Sequence, residues 1–175
     1  MVVVAALTVG ARAAVAPQHT SPVSATLAAT RVTMQEHTCT GDDGQYRQAF
    51  ETWAGVMTGD PRLTGIAALS LVSIVNTTSG NGTSQGVLIV TDPSTQTVKV
   101  RAIYTGVVTP GGVNLHGLMT GVVHDLGTQL GGRLVANFQA VQSGTVLYAG
   151  IGSTGTTAHP AVIQRIQCAP SRTNH

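Results

Sequence analysis

The sequence predicts an all-β protein, a single eight-stranded antiparallel up-and-down β-barrel, on three observations. Eight apolar runs rich in β-branched residues follow one another between Cys39 and Cys168. Each run ends in Gly, Pro, Asn or Asp, and no stretch among them has a 3.6-residue period. The turns are short and no long crossover intervenes, so the strands form a meander. Closing that meander into a cylinder removes the exposed edges of its first and last strands.

The opening run, QYRQAFETWAGVM at 45–57, alternates Tyr46, Phe50, Ala54 and Val56 against Arg47, Glu51, Trp53 and Met57, and both faces carry apolar side chains. After the turn GDPRLTG at 59–65, LTGIAALSLVSIVN continues to Asn76 as a bent or bulged strand with Gly65 near the bend. NTTSGNGT at 76–83 forms a hairpin loop with glycosylation sequons at Asn76 and Asn81, and GVLIVTD returns. PSTQ then turns into TVKVRAIYTGVV, whose alternation is the cleanest in the chain. Its inner face is Val98, Val100, Ala102 and Tyr104, opposite Lys99, Arg101 and Thr105. TPGG leads to VNLHGLMTGVVHD, and DLGTQLGG to RLVANFQAV with Leu134, Ala136, Phe138 and Ala140 inward. SGT leads to VLYAGIG at 146–152, and STGTTAHP to the last strand, AVIQRIQC. Glycines recur inside the strands, at Gly55, Gly65, Gly86, Gly106, Gly117, Gly121 and Gly150. They serve sharp coiling at barrel corners or make room for a ligand.

At 175 residues the chain has room for one domain. Residues 2–9, VVVAALTV, followed by an A-x-A site at Ala11–Ala13, resemble the back part of a secretory signal peptide without a preceding Lys or Arg. The run is too short to span a bilayer, so the mature form is expected to have no membrane span and to be secreted or periplasmic. The expected organisation is a signal at 1–13, a disordered Ala/Thr/Ser/Pro leader at 14–38, the barrel at 39–168 and a tail at 169–175. The two cysteines bracket the β region, and an oxidising compartment would join Cys39 to Cys168 at the seam. A loop of about 130 residues closed in that way contributes about 5 kcal/mol in the chain-entropy account.

Charged residues make up only 9% of the chain and aromatics 3%, and the nine Lys and Arg are scattered singly. Phosphate neutralisation needs clustered cations and base stacking needs aromatics, so nucleic acid is excluded as a partner. No CxxC or HxxxH spacing occurs, no metal is expected, and no conventional cofactor is implied. GIGSTG at 150–155 fits a dinucleotide loop in letters only, because no helix start or acidic residue follows it. GTSQG at 82–86, with Asp125 and His159 in hydrolase order, lacks the strand-to-helix elbow, which leaves Ser84 a turn serine. His116 and His124 lie on one strand about 26 Å apart and are read as solvated.

Glu51 is the acidic residue placed in mid-strand, beside Trp53 and Arg47. Facing the lumen, its carboxyl would have a raised pKa and serve as a general acid or base. Facing outward, it would be a cross-strand partner of Arg47 or Arg165, and that reading is preferred. Trp53, Tyr104, Met119, Phe138 and Tyr148 are the candidates for contact with an apolar ligand in a barrel just wide enough to hold one.

The strand with Tyr46, the GDPRLTG turn, the strand ending VNTT, the segments GVVTPGG and LHG, and LVANFQA together resemble bacterial barrels grouped with allene oxide cyclases and dirigent proteins. That resemblance covers about residues 45–168 and implies an eight-stranded, often trimeric barrel whose apolar lumen steers cyclisation or coupling of a small molecule. None of that family's polar catalytic residues matches by position. Lipocalins fit less well, because ETW at 51–53 lacks their glycine. Two functions follow as expectations. The leading one is a secreted barrel holding a small apolar molecule, with isomerase or cyclase activity of the kind the resemblance implies. The other is a non-catalytic structural or interaction module of an extracellular assembly, self-associating through an outer face with few charges.

Overall fold

Along each long strand the side chains on one face are apolar and those on the other are mixed, which suits a sheet curved around an interior. The computed structural model describes residues 20–41, 44–109, 114–124, 132–152 and 162–165. Their strands are β1 (Thr20–Pro22), β2 (Ala25–Gly41), β3 (Gly44–Gly59), β4 (Gly65–Asn76), β5 (Gly82–Thr91), β6 (Val98–Val108), β7 (Asn114–Val123), β8 (Gly132–Ser143), β9 (Val146–Gly152) and β10 (Val162–Arg165). Consecutive strands from β2 to β9 pair antiparallel, and β9 pairs back with β2 from Ala25 opposite Ile151 to Thr30 opposite Val146. The result is a closed, eight-stranded, all-β barrel. β1 and β10 pair with each other, and β10 adds to β8, so they extend the β2 and β9 sides of the seam.

The strand count matches the sequence-based expectation, but the set of strands differs. Residues 25–41, expected in the disordered leader, form β2, the first wall of the barrel. Ala25, Leu27 and Ala29 point into the core, while Thr26, Ala28 and Thr30 face out. Alanine is a poor strand former, so this alternation is quiet in sequence and is enforced by pairing on both sides. The seam disulfide is also corrected. Cys39 is a free, exposed thiol, and backbone hydrogen bonds between β2 and β9 close the seam. Cys39 lies nine residues past Thr30, where that pairing ends, a run of about 30 Å in a strand. Cys168, the signal at 1–13 and the tail at 169–175 lie outside the described residues. Gly65 opens β4 rather than bending it, and the bulges fall in β2 between Arg31 and Thr33 and where β5 meets β6.

The choice between coiling and ligand space is resolved at Gly106 and Gly117, which sit opposite each other on β6 and β7. A Cβ on Gly106 would lie 2.2 Å from the His116 carbonyl oxygen and 2.4 Å from the Tyr104 hydroxyl. A Cβ on Gly117 would lie 2.7 Å from the Tyr104 ring. The space these glycines leave is therefore taken by the protein's own tyrosine.

Two features distinguish the ends of the cylinder. At one end, Arg62 bonds Ser21, the Pro22 carbonyl and Asp60, while Lys99 donates to the Pro61 and Thr64 carbonyls at 2.8 and 2.9 Å. At the other, β2 runs past the seam. The last seam bond there is from the Arg31 N–H to the Thr145 carbonyl, at 2.9 Å. Beyond it, Thr33–Gly41 pairs with β3 alone among the described residues, and each of these side chains is exposed.

Candidate functional site

The lumen is filled by side chains. β3, β6, β7 and β8 aim Trp53, Tyr104, Met119 and Phe138 inward, none more than 1% exposed. The Tyr104 and Phe138 rings pack with centroids 4.5 Å apart. Leu27, Met57, Leu69, Leu88 and Leu134 occupy the remaining cross-section. Beside them, at the mouth from which β2 extends, is a cavity of about 20 Å³ lined by Ala49, Glu51, Leu71, Ser84, Leu115 and Gln142. One water needs about 10–15 Å³ and a drug-sized ligand several hundred. This cavity accommodates a single water.

Glu51 faces this mouth, not the outer wall, and is 7% exposed. Its carboxylate accepts hydrogen bonds from Arg31 Nη1 at 3.1 Å and Gln142 Nε2 at 3.2 Å. The Arg31 guanidinium also lies over Trp53, 5.7 Å from the ring centroid. The expected partners Arg47 and Arg165 are replaced by Arg31 because β2 supplies a cation that the sequence had assigned to the leader. Arg47 pairs instead with Glu36, at 2.9 Å, at the rim. A carboxylate held by two donors next to a water-sized space fastens β2, β3 and β8 together at the mouth.

Three buried polar atoms, Trp53 Nε1, Ser84 Oγ and Tyr104 Oη, have no hydrogen bond of normal geometry to the protein. Burial pushes the Tyr104 phenol up to about 12, and the nearby Ser84 hydroxyl opposes that rise. Ser84 enters β5 directly and is buried beside the mouth cavity, so it sits on no strand-to-helix elbow.

Of the five expected ligand contacts, four converge in the lumen and one does not. Tyr148 is 62% exposed on the outer wall because β9 turns Leu147, Ala149 and Ile151 inward. There it borders a groove of about 550 Å³ with Ala28, Val56, His116, Val141 and Gly150. His116 and His124 are exposed, as expected. Gly150–Gly152 belongs to a strand; the rest of that glycine motif, with Asp125 and His159, lies outside the described residues. Among the described residues no three His, Cys, Asp or Glu side chains converge, and no helix is long and apolar enough to cross a membrane. Arg31 and Gln142 are the site residues that sequence reasoning missed. The available signal was the buried face of ATLAAT at 25–30, which carries the strand on to Arg31.

No protein-family model, no curated protein and no solved structure matches the chain.

Proposed function

We propose that the protein is a non-catalytic interaction module of an extracellular assembly, a solid barrel that makes its contacts through its outside. The observation that carries this reading is the filled lumen. Trp53, Tyr104, Met119 and Phe138 occupy the place a ligand would take, and the cavity beside Glu51 is about 20 Å³. The outer wall supports the same reading, because Val56, Ile66, Ile103, Val107 and Val141 stand exposed among threonines with few charges. Export rests on the signal-like N-terminus, and homo-oligomer formation on the low surface charge. Kinship with allene oxide cyclase-like or dirigent-like barrels agrees with the strand number and remains part of the proposal.

Native mass spectrometry of the purified protein, followed by organic extraction, tests the reading. The expected masses are the bare chain or whole multiples of it. A stoichiometric apolar molecule released on unfolding would overturn the module reading and restore the small-molecule barrel with isomerase or cyclase activity.

A further inference from the structure

We infer that the free edge of β2 from Thr33 to Gly41 is a pairing site for a second copy of this chain, joined antiparallel about a two-fold axis at His37. The inference deepens the module reading and rests on it. In an antiparallel ladder alternate residues direct both N–H and C=O to opposite sides. β3 takes one set from Thr33–Gly41, and among the described residues no strand takes the other. Pro and Lys, which often blunt such an edge, are absent from it, the bulge of β2 falls before it begins, and its one charged residue, Glu36, is paired with Arg47. Met34, on this edge, and Val32, in the bulge at its start, are exposed apolar side chains.

The sequence of the edge selects a like partner and a register. A two-fold perpendicular to the sheet keeps side chains on their own faces, so the axis must pass through a residue position. Centred on Glu36, it would set two carboxylates directly opposite each other, which is destabilising. Centred on His37, it gives a nine-residue ladder with Thr33 opposite the partner's Gly41 and Glu36 opposite the partner's Thr38. The His37 ring stands edge-on to the exposed Phe50, with centroids 6.1 Å apart. The axis therefore builds a row of four rings across the joint. Because the edge extends past the seam, the two bodies lie at opposite ends of the ladder, about 26 Å apart.

Light scattering across a concentration series, with hydrogen exchange at its two ends, tests this. The expected result is a dimer whose 33–41 amides exchange more slowly at high concentration. His37→Lys opposes like charges at the axis and should raise the dissociation constant about fivefold or more, with an unchanged circular dichroism spectrum. Gln35→Lys, two residues from the axis on the same face, serves as a second edge variant. A monomer at all concentrations, a dimer with unprotected 33–41 amides, or unaltered dimerisation in both variants overturns the inference. So does an edge that binds an extended peptide of another protein while the isolated chain stays monomeric. A ligand-free monomer would sink this inference and leave the module reading, whereas a ligand-filled barrel would sink the module reading and leave the edge pairing intact.

Discussion

From Ala25 to Thr30, β2 has β9 on one side and β3 on the other, and its side chains alternate strictly between buried and exposed. From Thr33 to Gly41 the same strand has, among the described residues, β3 alone, and nothing on it is buried. Both halves are extended and both are hydrogen-bonded. The difference teaches that period-two burial is a property of the interior a strand lines and not of the strand itself. Where the cylinder closes, even Ala and Thr are sorted by face. Where it opens, Val32 and Met34 stay in solvent although they are larger and more apolar than the alanines buried at the seam.

The sharpest way to break this comparison is to delete a side chain from each half. Leu27 is 1% exposed at the seam, and Leu27→Ala should cost about 3 kcal/mol through lost burial and the cavity it leaves. Gln35→Ala in the free half should stay within about 0.5 kcal/mol. Urea midpoints of the two variants measure the contrast. Equal losses would mean that the outer half is packed against something in solution.

The boundary between the halves is Arg31, the hinge of the second prediction. Glu51→Gln leaves this guanidinium with a neutral partner, and a cost of about 2 kcal/mol is expected, below that of a fully buried pair because Arg31 retains some solvent contact. Arg31→Met and the double variant complete a cycle, with a coupling of about 1 kcal/mol expected if the contact joins the two elements directly. A coupling of zero would mean that Gln142 alone holds the carboxylate.

The far end of the barrel has a clamp with a pH signature. The Arg62 side chain, bonded to Asp60, holds this carboxyl below its ordinary value of 3.8 against the opposing effect of burial. A lowered folded-state value contributes stability above pH 3.8 that is lost as pH falls through the folded-state value. Asp60→Asn should therefore cost about 1 kcal/mol near neutrality, and the gap to the wild type should close in acid. A pH series of thermal midpoints would check it. A gap that persists in acid would assign the effect to geometry instead of charge.

The walls of the barrel were legible in the sequence wherever one face is large and apolar. Val100, Ala102, Tyr104, Leu134, Ala136, Phe138 and Ala140 are buried as their alternation required, but Val98, expected on the same inner face, is 43% exposed, because the register shifts where the start of β6 meets Thr91. β3 was ambiguous because Phe50 and Val56 on its outer face are as apolar as Trp53 and Met57 on its inner one, so the side taken by Glu51 could not be read locally. That side is fixed by Arg31 and Gln142, which lie 20 and 91 residues away in sequence. Tyr148 misled for the same reason: an aromatic in a short strand carries no mark of which face it takes. The filling of the lumen was also illegible, since it depends on Gly106 and Gly117 ceding space to Tyr104 across two strands.

The smallest effect belongs to Cys39, at the far end of the free half. Cys39→Ser should change stability by less than about 0.5 kcal/mol, because the side chain is exposed and closes no contact of the seam. In the native protein its thiol should react with a maleimide at the rate of an unfolded peptide, read by mass mapping of the labelled segment. Disulfide geometry brings two Cα atoms within about 7 Å, whereas the seam stops at Thr30, nine residues back along the strand. A bridge from Cys39 would thus fasten the free half and leave the closure of the cylinder to its hydrogen bonds. Recovery of a Cys39–Cys168 linked peptide together with a stability loss of several kcal/mol on reduction would reverse that order, making the outer half of β2 the fastened part and the seam its dependant.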